Sequence, residues 1–410
     1  SDYPITEDIS GNTRDRWDIG ASSAQATAIF RSIGPGNTAS LQNGAGIDLS
    51  ISLNTDGHTQ ASFSSAVSNN VGLGDVIQYD ADASGGVDTL AFISEVIDDQ
   101  NFIVKDNLGQ NATITSSPSQ SWDIFRAYNN MSAAEDGSNE NVGIDPTLVN
   151  FDNFSGGKDI VSANEQWNFI GYADAKDTVA VDVDGWVTSN INHMKFLSGS
   201  PHKGIWSDDA YTISINSGSN GAFSILEHNI VVDGIQFELQ TGTTATGVVG
   251  MAPGTGDEPY HVFRNNIIRK AVNTNEVHGF YMDWRSSGAF VYNNILYGFN
   301  NTADTGFIVE NNGSNNNPRP IIANNTITKN NDGIYIGSYN TYNATTLRNN
   351  LIIGNTQDIN SALSPNTVGK CSHNATGDSS AQTFCDSSDD NTVFFTGVTP
   401  DSFIDFFKQD

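Results

Sequence analysis

The side chains best suited to chemistry lie close together in one short stretch. His278, Asp283 and Arg285 supply an imidazole, a carboxylate and a guanidinium, and Tyr281 and Trp284 stand beside them. Acid–base groups next to aromatic rings are typical of a surface that holds a sugar, because the rings pack on the sugar while the polar groups exchange protons or hydrogen bonds. We therefore expect a sugar-facing patch, with the first three as catalytic candidates and the two aromatics as binding residues. An ordinary exposed turn is the alternative.

A pair of carboxylates offers the second candidate site. Asp182 and Asp184 alternate along one expected strand, so their side chains point the same way and are candidates to share a calcium ion. A solvated strand face is the alternative. The chain carries no phosphate-binding loop, zinc-ligand spacing, nucleophile elbow or dinucleotide fingerprint. The sequence therefore leans against an enzyme and predicts no cofactor other than this calcium.

A repeat gives the elements that must position these residues. Four Asn pairs are each followed by a short apolar run, and their second members are separated by 28, 31 and 25 residues: Asn266, Asn294, Asn325 and Asn350. Between them recurs a second phrase whose glycines are 27 residues apart: Gly279, Gly306 and Gly333. Two phrases in phase at one period indicate a solenoid.

The apolar runs are short, β-branched or aromatic, and bounded by Asn, Gly and Asp, which predicts strands. A unit of this length with short strands is typical of a right-handed parallel β-helix, and about seven coils fit between residues 160 and 360. Stacked coils would bring the four asparagines into a hydrogen-bonded ladder. In the earlier coil that contains residues 225–237, we expect His228 at the first Asn position.

The remaining segments depart from this period. Residues 1–21 form a closing-type segment, 22–128 a β-rich module with inserted hairpins, and 129–160 a helical cap that leads into the coils. We expect Ser132 to cap that helix at its N-terminus. The coils then occupy 161–365, and an irregular segment with a cysteine pair occupies 366–410. The expected fold class is thus all-β, a solenoid with an additional small β module near the N-terminus.

Charge and cysteine content limit the possible partners and the cellular location. The 410 residues carry a net charge of −29, which argues against nucleic acid as a partner. No apolar stretch is long enough to span a membrane. The two cysteines, Cys371 and Cys385, predict one disulfide in an oxidising compartment, with two free thiols as the alternative. A secreted or cell-surface protein is therefore expected.

The opening of the chain carries a resemblance. Residues 8–14 read DISGNTR and residues 17–21 read WDIGA. This resembles the closing phrase of bacterial extracellular right-handed parallel β-helix repeat proteins, although here it opens the chain. The stretches IFRAYN at 124–129 and HKGIW at 202–206, with the NNI and GI coils, extend the resemblance over most of the chain. Such proteins include adhesins, matrix proteins and lyases, so the resemblance implies architecture more than activity.

Two functions remain open on the sequence alone. The displaced closing phrase and the phenylalanine-rich C-terminus favour an extracellular structural or adhesive protein whose units associate end to end through the chain termini. The alternative is a polysaccharide-active enzyme, a lyase or depolymerase, or a glycan-binding module on the same scaffold.

Overall fold

The computed structural model describes residues 25–216, 221–240, 247–251, 261–271, 277–282, 288–309, 320–337, 345–361, 370–380 and 393–394. Within these residues the chain is a parallel β-solenoid with a small antiparallel module in its N-terminal part, which confirms the expected fold class. The solenoid makes about six turns within these residues.

Three parallel sheets of nine, seven and eight strands form the solenoid, because each complete coil contributes one strand to each sheet. The first sheet contains β1 Thr27–Ile33, β9 Glu165–Gly171, β11 Met194–Ser198, β14 Ile230–Asp233, β17 His261–Arg264, β20 Ala289–Tyr292, β23 Ile321–Ala323, β26 Thr346–Arg348 and β29 Lys370–Ser372. The second contains β10 Val181–Val183, β13 Phe223–Ile225, β16 Val249–Met251, β19 His278–Met282, β22 Thr305–Val309, β25 Asp332–Ile336 and β28 Gln357–Ser361. The third contains β12 Thr212–Ile215, β15 Gln236–Leu239, β18 Ile267–Lys270, β21 Ile295–Tyr297, β24 Thr326–Thr328, β27 Leu351–Ile353, β30 Ala375–Thr376 and β31 Val393–Phe394.

The antiparallel module follows the first solenoid strand. Its sheet has the order β2-β8-β5-β6-β7-β4-β3. The strands are β2 Gln42–Asn43, β3 Leu49–Leu53, β4 Thr59–Phe63, β5 Val76–Tyr79, β6 Thr89–Val96, β7 Asn101–Lys105 and β8 Trp122–Phe125. Its core is separate from that of the solenoid and includes Phe63 and Trp122, whose ring centroids lie 4.8 Å apart. Because β1 pairs with β9 in parallel, the solenoid begins before the module in the chain.

A short helix covers the N-terminal end of the solenoid. Helix α1 spans Met131–Asp136 and buries Met131 and Ala134 in the solenoid core. The expectation that Ser132 caps this helix is wrong. The extended residue Asn130 is the N-cap, and its Oδ1 accepts from the Ala133 backbone N at 2.8 Å. The helix therefore starts earlier than the run of alanines suggests.

A second helix, α2, spans Ile160–Ala163, and its N-cap is Asp159. Neither α1 nor any other helix in the described part of the chain combines the length and apolarity that crossing a membrane requires.

Aromatic rings fill the interior of the early and middle coils. Phe169 stacks on Phe196 with ring centroids 5.2 Å apart, and Phe280 stacks on Phe307 at 4.8 Å with planes 1° apart. Edge-to-face contacts extend the series through Phe223. Each such pair adds about 0.5–1.5 kcal/mol beyond the burial of its area. Later coils replace phenylalanine with smaller residues such as Ile334 and Ile359, so the core continues without a stack.

The two members of each asparagine pair have different roles at the corner between the first and third sheets. The first member adopts the left-handed conformation, as at Asn293, where φ is 58°. The second member is buried and joins a column. In this column the Nδ2 of each asparagine donates to the Oδ1 of the next, over 2.9–3.1 Å, from Asn266 through Asn294, Asn325 and Asn350 to Asn374. The same Oδ1 atoms accept backbone N–H groups, so each amide satisfies several buried groups.

The coil before this column uses different residues at the same corner. Because Asp233 pairs with Arg264, Gly234 and Ile235 stand where Asn265 and Asn266 stand in the next coil. The Ile235 backbone N donates to Asn266 Oδ1 at 2.9 Å, so this coil contacts the first asparagine of the ladder through its backbone. The expectation that His228 takes the first Asn position is therefore wrong. His228 lies in the turn between β13 and β14, at a different corner.

Candidate functional site

The outward face of the second sheet brings together the side chains best suited to bind a ligand. Tyr281, Ile308, Tyr335 and Asn360 are aligned by the strand register on four successive coils. Phe280, Phe307 and Ile334 beside them belong to the core, so this alternating set points away from the core. Within the set, Tyr281, Tyr335 and Asn360 are partly exposed and Ile308 is buried. The two tyrosines are half-buried and lie two coils apart, roughly 10 Å at the usual strand spacing. They form a spaced aromatic platform.

A polar column runs beside the aromatic one. His278, Thr305, Asp332 and Gln357 are aligned on the same four coils. The rings of His278 and Tyr281 lie 6.4 Å apart and nearly parallel, which joins the two columns. Asn360 Nδ2 donates to Asp332 Oδ2 at 2.9 Å, a second link between them. An imidazole, a carboxylate and amides thus line one side of the aromatic platform, whereas Thr305 in the same column is buried.

The polar column leads into a cleft at the C-terminal end of this face. The cleft has a volume of about 600 Å³ and is lined mainly by amides, hydroxyls and carboxylates: Thr302, Asn331, Asp332, Thr356, Gln357, Asn360, Asp378, Ser379 and Ser380. Burial raises the pKa of the Asp332 carboxyl, while the Asn360 amide and the nearby His278 lower it. The cleft therefore contains a carboxyl group that holds its proton more firmly than a solvated aspartate does.

The predicted site residues are only partly covered by the described residues. His278 and Tyr281 lie on β19, as neighbours on one face. Asp283, Trp284 and Arg285 lie outside the described residues, so their grouping with these two stays a prediction. The disulfide likewise stays a prediction, because Cys385 lies outside them, whereas Cys371 is buried next to Asn374.

The carboxylates proposed to hold calcium are exposed. Asp182 lies on β10 and belongs to the same outward column as Tyr281, with Ser224 and Gly250 between them. Asp184 follows that strand, and its Oδ1 accepts from the Gly185 backbone N at 2.8 Å. The two are not part of a group of three metal-ligating side chains among the described residues.

A different acidic group lies on the module. Asp80, Asp82 and Asp88 each place a carboxylate oxygen within 4.8 Å of the others, a ligand set that suits a hard cation such as Ca²⁺. Backbone N–H groups already donate to these carboxylates: Ser84 N to Asp82 Oδ1 at 2.9 Å and Gly85 N to Asp80 Oδ2 at 2.8 Å. The bonds from Ser84 lower the pKa of Asp82 and stabilise the turn without an ion. The closely spaced aspartates at 80, 82 and 88 were the available sequence signal.

A second cleft, of about 990 Å³, lies where the module meets the solenoid. Its charged groups are engaged with one another. The buried Arg126 guanidinium donates to Asp75 at 2.9 Å and to Asp174 at 3.0 Å, and it lies 3.7 Å from the Tyr172 ring centroid. Burial acts to raise the pKa of Asp174, but the hydrogen bonds and charge of Arg126 outweigh it, so the net shift is downward. These groups hold the two parts together, so we regard the outward face of the second sheet as the better candidate site.

Tyr335, Asp332 and Asn360 were not singled out from the sequence. Tyr335 and Asp332 lie in the phrase Asp332-Gly-Ile-Tyr-Ile, whose in-phase repeats place His278 and Tyr281 at the matching positions. The repeat alignment was the signal that would have found them.

The architecture defines this chain as a parallel β-solenoid protein with an inserted antiparallel module. Comparison with protein-family models, with curated proteins and with solved structures finds no match.

Proposed function

We propose that this protein is an extracellular adhesive β-solenoid that binds a polysaccharide along the outward face of its second sheet. The observation that carries the proposal is the alignment of Tyr281 and Tyr335 beside the polar column that ends in the cleft. Tyrosine rings pack on the apolar faces of sugar rings, and amides and hydroxyls exchange hydrogen bonds with sugar hydroxyls. A straight row of such groups matches a linear polymer.

The charge of the chain narrows the kind of polysaccharide. At a net charge of −29, the protein repels a polyanion over several ångströms at moderate salt. Amides and hydroxyls predominate among the cleft side chains, which is the chemistry that neutral sugars require. A neutral polysaccharide is therefore the proposed ligand class.

End-to-end association remains a separate prediction. Stacking another unit on the N-terminal end of the solenoid would have to displace α1, whose Met131 and Ala134 are fully buried there. That cost favours binding through the side of the solenoid over polymerisation through this end. Negative-stain microscopy of the whole chain, with and without residues 1–21, tests it, since filaments that vanish on truncation would support end-to-end assembly.

Paired substitutions test the sugar-binding proposal. We expect Tyr281→Ala and Tyr335→Ala each to weaken binding to a neutral polysaccharide about tenfold, and the double variant more, in affinity electrophoresis or on a glycan array. Tyr292→Ala is the matched control, because Tyr292 is a half-buried outward tyrosine on the first sheet. Equal losses in all three variants, or binding to acidic glycans only, would contradict the proposal.

A polysaccharide-cleaving enzyme is the second candidate. The observation that favours it is Asp332, whose raised pKa suits a proton donor and whose neighbours include His278. If the wild-type protein cleaves the polysaccharide that it binds, Asp332→Asn should abolish the release of new chain ends and preserve binding. Binding without cleavage by the wild type would leave the adhesive function as the better interpretation.

A further inference from the structure

Two histidines meet at the corner where the second sheet passes into the first. His228 lies in the short turn between β13 and β14, and His261 is the first residue of β17, one coil later. Their ring centroids lie 6.4 Å apart, with planes 27° apart. His261 is 1% exposed and takes a place in the column that otherwise holds the apolar core residues Met194, Ile230 and Ala289.

The nitrogens of these rings are buried without partners in the described part of the chain. This holds for both ring nitrogens of His261 and for Nδ1 of His228. A buried polar group without a hydrogen bond costs about 1–3 kcal/mol, so three such atoms at one point require an explanation. A valine or isoleucine would fill the same core position at no such cost. A ligand shared by the two imidazoles would provide that explanation.

We propose that His228 and His261 form a binding site for monovalent copper. An ion held about 2 Å from one nitrogen of each ring spans ring centroids separated by roughly 5 to 6.5 Å, depending on the nitrogen–metal–nitrogen angle. The observed separation lies near the upper end, which corresponds to a wide angle. Two-coordinate monovalent copper adopts such an angle, whereas tetrahedral zinc requires a narrower one and four ligands.

Copper titration under reducing, anaerobic conditions tests the site on the whole chain. We expect the metal-free protein to retain one monovalent copper ion per chain against a colorimetric copper chelator. His228→Ala should lower that affinity by about 100-fold or more, because it removes one of the two nitrogen ligands. His228 lies in a turn, so the loss of its ring leaves the core intact. His261→Val should do the same while it preserves the packing of the column. His58→Ala, at an exposed turn of the module, is the matched control and should bind as the wild type does.

Two further readouts keep the test decisive. Bound copper should raise the melting temperature of the wild type and leave that of His261→Val unchanged, because only a native-state site stabilises by ligand binding. The X-ray absorption edge of the complex should have the intense pre-edge feature of near-linear monovalent copper. Absence of stoichiometric binding by the folded wild type, or equal affinity in the two histidine variants and the wild type, would overturn the proposal.

Discussion

The junction between module and solenoid and the later coils are stabilised in different ways. The junction depends on buried ion pairs between residues far apart in the chain, as where Arg31 meets Asp152 with both side chains at most 1% exposed. The later coils depend on one amide repeated from coil to coil, as from Asn294 to Asn325. One region uses unique contacts and the other uses a periodic contact, so they should respond differently to the loss of a single side chain.

The largest predicted effect is at the junction. Arg31 donates to both Asp152 oxygens and to the Asn107 carbonyl, and its guanidinium lies 3.8 Å from the Phe92 ring centroid. Arg31→Met keeps most of the volume but leaves a carboxylate buried without its cation. We expect a loss of about 3–5 kcal/mol in the free energy of unfolding, measured by urea denaturation.

A matched ion pair on the coils provides the control for that prediction. Arg264 donates to Asp233 at 2.7 Å, but its side chain is 41% exposed, so Arg264→Met should cost less than about 1 kcal/mol. Asp152→Asn added to Arg31→Met should recover part of this lost stability, because the introduced amide carries no charge. In the wild type the Tyr128 hydroxyl donates to Asp152, and the amide oxygen of the variant can accept the same hydrogen bond. Similar costs for the two arginine variants would contradict the distinction between the regions.

The second prediction concerns the ladder. Asn325→Ala removes the acceptor of two Asn294 N–H groups and the donor to the Val291 carbonyl, all of them buried. We expect a loss of about 2–3 kcal/mol in the free energy of unfolding. The matched control is the exposed Asn324, where Gly also tolerates a φ of 56°, so Asn324→Gly should change stability by less than about 0.5 kcal/mol. If the two substitutions cost the same, the ladder is not what stabilises this corner.

The third prediction uses pH to probe the helical cap. Burial raises the pKa of Glu135 to about 8, against 4.5 in its ordinary state, while bonds from Asp184 N and Trp186 Nε1 lower it. The folded chain thus binds more protons than the unfolded chain between pH 4.5 and 8. The contribution of Glu135 to stability is therefore complete below pH 4.5 and is lost as pH rises toward 8, by up to about 1.4 kcal/mol per pH unit.

Glu135→Gln isolates this contribution, because the amide keeps an acceptor oxygen and does not titrate. The difference in melting temperature between the variant and the wild type should shift in favour of the variant from about pH 5 to about pH 9. Several other buried carboxyls with raised pKa values, such as Asp177, act in both proteins and cancel in the difference. A difference that does not change with pH would show that Glu135 is charged in the folded protein.

Sequence reasoning succeeded where contacts repeat and failed where they do not. The solenoid followed from the period of Asn294 and Asn325, because equal spacing of identical residues is visible without a structure. The pair of Arg31 and Asp152 is separated by 121 residues and has no repeated counterpart, so no local pattern marks it. His278 and Tyr281 are neighbours, as their closeness in the sequence suggested, but their role in holding a sugar stays a prediction. Tyr335 was not selected, because it stands on another coil and joins Tyr281 only in the column that stacking creates.

The smallest predicted effect tests the strand register at the start of the asparagine ladder. At the first Asn position of that coil the sequence suggested His228, and the structure places Gly234. Gly234 has a φ of 78°, and an added Cβ would lie 3.5 Å from the Ser198 Cβ, an ordinary contact. Asn tolerates this conformation far better than a β-branched residue does. Gly234→Asn should therefore alter the free energy of unfolding by less than about 0.5 kcal/mol, whereas Gly234→Val should cost about 1–2 kcal/mol in a denaturant titration. Equal costs would mean that residue 234 does not occupy the left-handed position that Asn265 holds one coil later, and the ladder would then begin in a different register.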